Sequence, residues 1–250
     1  RLEARDLRAV DAHARGAAQA DAVIHLAFNH DFSRFAQNAE DERKAIAGLL
    51  EGLAGTGKRL VVTSGTGMSS ARPGLPSTED DAPVGGGQFP RTPEAAASEA
   101  TNRGIPLSIV RLPQVHDTRK AGLVSFLISL ARQHGFVGYL GEGKNRWSAA
   151  HVSDVARLYR LALEKGEALA RYHAVAEEGV ALRDIAEVVG AGLKLPVRSL
   201  GPDEAAGYFG WLGHFAGRDV CATSLKTQQA LGWKPTGPTM LQDLKTFEWV

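Results

Sequence analysis

Three periodicities follow one another between Asp21 and Thr63. Asp21-Ala22-Val23-Ile24-His25-Leu26-Ala27 is a short apolar run. Asn38 to Gly55 carries helical spacing through Ala45, Ile46, Leu49, Leu50 and Leu53, and Leu60-Val61-Val62-Thr63 is a second apolar run. A strand, a crossover helix and a second strand in that order form a unit whose two strands lie parallel and must be covered on both faces. The alternation continues with a helix from Pro93 to Arg103 stopped by Gly104, and a strand from Pro106 to Arg111. The chain is therefore an α/β protein built on a parallel sheet.

Beyond Pro113 the pattern predicts a helix at Leu123–Gln133, a strand at Phe136–Leu140 and a helix at Val152–Lys165 that Ser153 or Asp154 begins. A strand at Arg171–Ala176, a helix at Leu182–Leu193 and a strand at Val197–Leu200 follow. The remainder, through Gly207-Tyr208-Phe209-Gly210-Trp211 to the helix ending at Leu231-Gly232-Trp233, reads as a small, mostly helical cap. Ser69 to Pro90 is rich in Gly, Pro and acidic residues and reads as a surface loop or lid. The division expected is a core over 1–135, with the remaining core elements and the cap over 136–250.

Twenty-nine basic residues face twenty-eight acidic ones, which gives no electrostatic case for nucleic acid or an anionic membrane. No apolar run reaches the roughly 20 residues that span a bilayer. The one cysteine, Cys221, cannot form an internal disulfide, so a reducing cytoplasm is expected. The histidines and Cys221 form no spaced metal set, and no metal is expected. Gly65-Thr66-Gly67-Met68-Ser69-Ser70 lacks the Lys-Ser/Thr of a phosphate loop, and Ser64 lacks the glycines of a hydrolase elbow. The expected partner is a small molecule.

Six short motifs in order carry a resemblance. They are Asp6-Leu7, Val23-Ile24-His25-Leu26-Ala27, Thr63-Ser64-Gly65 and Arg111-Leu112-Pro113-Gln114-Val115-His116, then His151-Val152-Ser153-Asp154-Val155-Ala156 and Leu231-Gly232-Trp233-Lys234-Pro235. Together they resemble the extended branch of the short-chain dehydrogenase/reductase superfamily, the epimerase/dehydratase-like oxidoreductases. The resemblance implies a Rossmann-like, doubly wound parallel sheet with a small, mostly helical C-terminal substrate-binding cap, and NAD or NADP as cofactor. It places Asp6, Leu7, Leu26, Ala27, Phe28, Thr63, Ser64, Arg111, Leu112, Pro113, Val115 and His116 along the cofactor. Substrate would meet Ser64, His116, His151, Tyr208 and Trp211. A homodimer through 38–55 and 93–103 is the family's habit.

The chain departs from the family in two places. The glycine-rich turn that receives the pyrophosphate falls before residue 1 in the resemblance, so the chain is expected to continue N-terminally, and the residue that chooses between NAD and NADP falls there too. The Tyr-x-x-x-Lys that works with the strand-end serine is replaced by Arg91-Thr92-Pro93-Glu94-Ala95. A guanidinium stays charged and donates protons poorly, although it binds carboxylates and polarises carbonyls. Arg91 is thus a substrate clamp or a solvated residue at a helix start, Ser64 a pocket hydroxyl or a turn residue, and His25 a core histidine or a base. Of the tyrosines, Tyr208 in the cap is the one placed to replace the lost proton donor, which leaves Ser64, Arg91 and Tyr208 as catalytic candidates. The reading that follows is an NAD(P)-dependent oxidoreductase acting on a small carbonyl or alcohol. The alternatives are a non-catalytic NAD(P)-sensing module and a nucleotide-sugar epimerase or dehydratase.

Overall fold

The computed structural model describes residues 6–69, 74–84 and 90–249. In chain order the elements are α1 (Val10–Gln19), β1 (Ala22–His25), α2 (Phe35–Leu53), β2 (Arg59–Gly65), α3 (Ala96–Asn102), β3 (Leu107–Leu112) and β4 (Gln114–His116). Then come α4 (Val124–His134), β5 (Val137–Leu140), β6 (Arg146–His151), α5 (Val152–Lys165), β7 (Arg171–His173), β8 (Glu177–Ala181) and α6 (Leu182–Leu193). The last are β9 (Val197–Leu200), α7 (Pro202–Phe209), α8 (Gly213–Ala216), α9 (Leu225–Leu231) and α10 (Met240–Lys245). Single 3₁₀ turns lie at Phe32–Arg34, Thr66–Met68, Pro93–Ala95 and Gly210–Leu212.

The main sheet has the order β1-β2-β3-β7, all parallel. Side chains alternate across it. Leu60, Val62, Leu107 and Ile109 pack on one face against Ile46, Leu50 and Leu53 of α2 and Ala100 of α3. Val61 and Val110 pack on the other against Val155, Leu158 and Tyr159 of α5. Leu50 and Leu53 are fully buried, each worth about 1.5–3 kcal/mol of transfer free energy. This alternation also decides the strand ends: Ser64 lies on the α2/α3 face and Thr63 on the α5 face.

A second body of structure follows β3. Strands β4 and β6 pair parallel and β8 joins β6 antiparallel, while β5 and β9 form a parallel pair. Trp147, Leu127, Ile185, Val189, Phe209 and Leu244 lie in its core. The expected helices and strands from Leu123 to Leu200 are present, with the Arg171–Ala176 strand ending at His173. Part of the expected 69–90 loop lies outside the described residues; its described stretch pairs at Ser69 with Pro83 and at Ser77 with Ala222.

The start of α5 corrects the expected cap. His151 is the capping residue, its Nδ1 accepting from the Ser153 backbone N–H at 3.2 Å. Asp154 is fully buried, and its carboxylate accepts from the Thr236 and Gly237 N–H groups at 3.0 and 2.8 Å and pairs with Arg157. The Trp233 indole donates to the Asp154 carbonyl at 3.0 Å. The Asp154 motif and the Leu-Gly-Trp-x-Pro motif are therefore two halves of one joint. Among the described residues no helix is long and apolar enough to cross a membrane.

Candidate cofactor and substrate site

Register builds a polar row across the carboxyl end of the main sheet. His25 is level with Val62, Ser64 with Arg111, and Arg111 with His173, so His25, Ser64, Arg111 and His173 share the α2/α3 face. Helix α2 brings Glu42 over this row, and the turn before α3 brings Arg91 and Glu94. Arg91 forks onto Glu42, with Nε–Oε2 2.8 Å and Nη2–Oε1 2.6 Å. Arg111 forks onto Glu94 at 2.7 and 2.9 Å, and Arg171 adds a third bond to Glu94 at 2.9 Å. Glu79 accepts from the Thr227 N–H and hydroxyl at 2.8 and 2.7 Å. Two carboxylates, Glu42 and Glu94, thus hold three guanidiniums, while Glu79 is held by Thr227.

Burial alone would raise the Glu94 carboxyl. The Arg111 hydrogen bond and charge outweigh it, with Arg171 and the Ser64 hydroxyl adding to them, and hold Glu94 below the usual glutamate range. Glu42 is lowered against its burial in the same way by His25 and Arg91. Burial lowers His173, and its Nε2 lies 3.3 Å from the Arg111 guanidinium. Glu42, Glu79 and Glu94 had no signal in the sequence reading: each meets its partner across a long stretch of chain.

The expected site residues separate into groups. At the tip of β1, Leu26 is 60% exposed, Ala27 is exposed and Phe28 is half-buried. Ser64 is buried, and its Oγ has no hydrogen bond of good geometry, although its dipole reaches Glu94. Thr63 faces α5: its hydroxyl donates to the His25 carbonyl at 2.6 Å, so the Tyr159 hydroxyl, also 2.6 Å away, donates to it. Leu112, Pro113 and Val115 are half-buried beyond β3. Asp6 is exposed and bound by Arg8, whose backbone and guanidinium hold its carboxyl down to about 2, while Leu7 is half-buried.

Four expectations are corrected by the geometry. Arg111 is 0% exposed, so its side chain holds Glu94 instead of lining a groove. Arg91 is neither solvated nor free: besides the Glu42 fork, its guanidinium lies 4.2 Å over the Phe28 ring. The Tyr208 hydroxyl accepts from the Gly138 N–H at 3.1 Å and donates to the Phe136 carbonyl at 3.0 Å, so it pins β5 to α7 and its proton is engaged by that carbonyl. His116 and His151 converge on Asp243, at 2.6 and 3.8 Å, beneath α10, and burial lowers His116 despite that carboxylate. No expectation included Asp243.

Trp211 does reach the core. It stacks on Phe32 with ring centroids 3.9 Å apart and planes at 10°. Phe126 of α4 meets both rings edge-on, at 4.9 Å from Trp211 and 5.8 Å from Phe32. Phe35 stacks on Phe32 at 5.6 Å and touches Phe28 at 5.9 Å. A line of rings therefore runs from the Arg91-covered Phe28 beside the sheet tip to the second body. Asp31 fixes its bend by accepting from the Ser33 N–H and hydroxyl at 3.1 and 2.6 Å.

No family model matches the chain. Over 242 residues it is 38% identical to uncharacterized protein YLL056C of Saccharomyces cerevisiae, covering 96% of this chain and 80% of that protein. Over 240 residues it is 39% identical to uncharacterized protein C2A9.02 of Schizosaccharomyces pombe, covering 95% and 81%. Among solved structures, the dTDP-glucose 4,6-dehydratase DesIV of Streptomyces venezuelae with NAD and TYD bound superposes with a TM-score of 0.76 at 20% identity, covering 98% of this chain and 77% of that one. RMD of Pseudomonas aeruginosa complexed with NADPH gives 0.72 at 18% identity, covering 99% and 88%.

Proposed function

The chain belongs to the family of these two fungal proteins and carries the extended short-chain dehydrogenase/reductase fold, and from this we propose that it is an NAD(P)-dependent oxidoreductase acting on a small carbonyl or alcohol. The observation that carries the reading is the sheet tip itself. There an exposed apolar edge at Leu26 and Ala27 lies one strand away from a buried serine hydroxyl without a hydrogen-bond partner. An unmade bond at a buried hydroxyl costs about 1–3 kcal/mol, which an oxygen of a bound ligand would recover. These residues fit a nicotinamide dinucleotide, with Leu26, Ala27 and Phe28 against its adenosine side and Leu112, Pro113 and Val115 walling the nicotinamide end. When bound, the nicotinamide supplies the hydride: a carbonyl substrate gains hydride at carbon and a proton at oxygen, and the reduced cofactor leaves oxidised.

In this reading Ser64 holds the substrate oxygen. Arg91, itself held by Glu42, is a positioning residue that covers the Phe28 ring. Glu42 and Glu94 are paired with Arg91, Arg111 and Arg171, and Tyr208 is engaged elsewhere, so in this reading the proton comes from solvent. The test is oxidation of NADH and NADPH across a panel of aldehydes and ketones. We expect turnover with at least one, and Ser64→Ala should lower kcat/KM at least about tenfold with cofactor affinity unchanged. An unchanged rate removes Ser64 from the reaction.

A second reading is an NAD(P)-binding sensor without turnover, favoured by the pairing of Arg91, Arg111 and Arg171 with Glu42 and Glu94, which leaves none of these five groups free for proton transfer. Saturable cofactor binding with no oxidation over the whole panel would support it. A nucleotide-sugar reaction ranks below both, since Arg91 and Ala95 stand where the resemblance puts tyrosine and lysine. Protection of the protein against heat by a sugar nucleotide would raise it.

A further inference from the structure

Aromatic side chains that stay partly exposed as one contiguous line, rather than singly, call for a reason. Phe28, Phe32, Phe35, Phe126 and Trp211 are each half-buried, and they come from three separate parts of the chain. Their contacts tie the β1 side to the second body through Phe32, which stacks parallel on Trp211 and meets Phe126 and Phe215 edge-on. Neither ring belongs to an α-helix: Phe32 sits on the turn Phe32–Arg34 and Trp211 on Gly210–Leu212. Gly210, at the start of the latter, has φ +51°, a left-handed conformation that favours glycine. Both turns lie outside the sheets. The cation over this line, Arg91, is already committed to Glu42, so a diphosphate would find no free charge from it.

We propose that this line of rings is the substrate-recognition surface, that it takes a planar aromatic carbonyl compound, and that Phe32 and Trp211 are its gate, parting so that the substrate ring lies between them. The inference rests on the oxidoreductase reading for the reaction and on the ring geometry for the substrate class. A planar ring recovers both faces of the stack it interrupts, whereas a saturated ring of the same size cannot lie flat between them. The substrate carbonyl would point along the line towards Phe28 and the tip of β2.

The experiment compares benzaldehyde with cyclohexanecarbaldehyde and UDP-glucose. Binding is followed by calorimetry, and turnover by NADH and NADPH oxidation; cofactor affinity is measured separately. We expect benzaldehyde to bind and react with a KM at least about tenfold below that of the saturated aldehyde. Trp211→Ala should erase that preference and Trp211→Phe should keep it. Phe32→Ala, on the other side of the gate, should act like Trp211→Ala, and melting temperatures would show that the variants are folded. Equal affinity for the two aldehydes, or a preference untouched in both alanine variants, overturns the inference, as does tighter binding of UDP-glucose. Cofactor binding without any preference for the planar ring sinks this inference alone. Planar-ring preference without cofactor binding sinks the oxidoreductase reading and leaves the recognition surface standing.

Discussion

Replacing Glu94 by Gln should destabilise the protein by about 3 kcal/mol. Glu94 is the shared acceptor of Arg111 and Arg171, and the Arg111 guanidinium is fully buried. Removing one partner of a buried ion pair costs about 3–5 kcal/mol, because the remaining charge is left without compensation. Glutamine keeps one acceptor oxygen, which puts the expected loss at the lower end. For a chain of this length that corresponds to a fall in Tm of roughly 6–12 °C. Urea unfolding should show the lost stability in the midpoint with an unchanged slope. Glu94→Leu combined with Arg111→Met removes both buried charges, and we expect it to recover most of the loss, since an apolar pair of similar volume is often neutral. A Glu94→Gln cost below about 1 kcal/mol, or a double replacement as costly as the two singles added, would refute the reasoning. The same pairs set an acid limit. Glu94 and Glu42 have folded pKa values below their unfolded ones, so their contribution is complete above the ordinary glutamate pKa of about 4.3 and is lost as pH falls through the lower folded values.

Tyr208→Phe should cost about 1–2 kcal/mol through its two backbone hydrogen bonds and leave turnover unchanged; a collapse in rate at constant stability would restore it as proton donor. Asp154→Ala should cost about 3 kcal/mol and admit protease near Lys234–Gly237, which mass spectrometry of limited digests would show. His116 has a folded pKa below its unfolded one, so it destabilises the fold as pH drops below about 6.5. Thermal melts between pH 8 and 5.5 should therefore show a loss that shrinks in His116→Gln, and an NMR titration should find the His116 midpoint below that of a free histidine.

Much of the fold was legible because its signals are local. The β1–α2–β2 unit is written in apolar runs and helical spacing, and α6 and β9 keep the bounds that their patterns suggested. Strand β6 was not legible: Ser148, Ala149 and Ala150 have little strand preference, and they are extended because β4 and β8 pair with them on both sides. At the site, the resemblance found the strand ends but not what they touch. Arg111 meets Glu94 across 17 residues, Arg91 meets Glu42 across 49 and His116 meets Asp243 across 127. Ion pairs at such separations leave no periodicity to read. The strand parity that sends Ser64 and Thr63 to opposite faces was readable, whereas the partner waiting on each face was not.

Hydrogen exchange of the full chain with and without NADH or NADPH tests most directly whether the sheet tip holds a nicotinamide dinucleotide. We expect slowed exchange at Leu26–Phe28 and Ser64–Thr66 on adding cofactor, with α6 unchanged. Unaltered exchange at both strand ends under saturating cofactor, or protection confined to another surface, would contradict it.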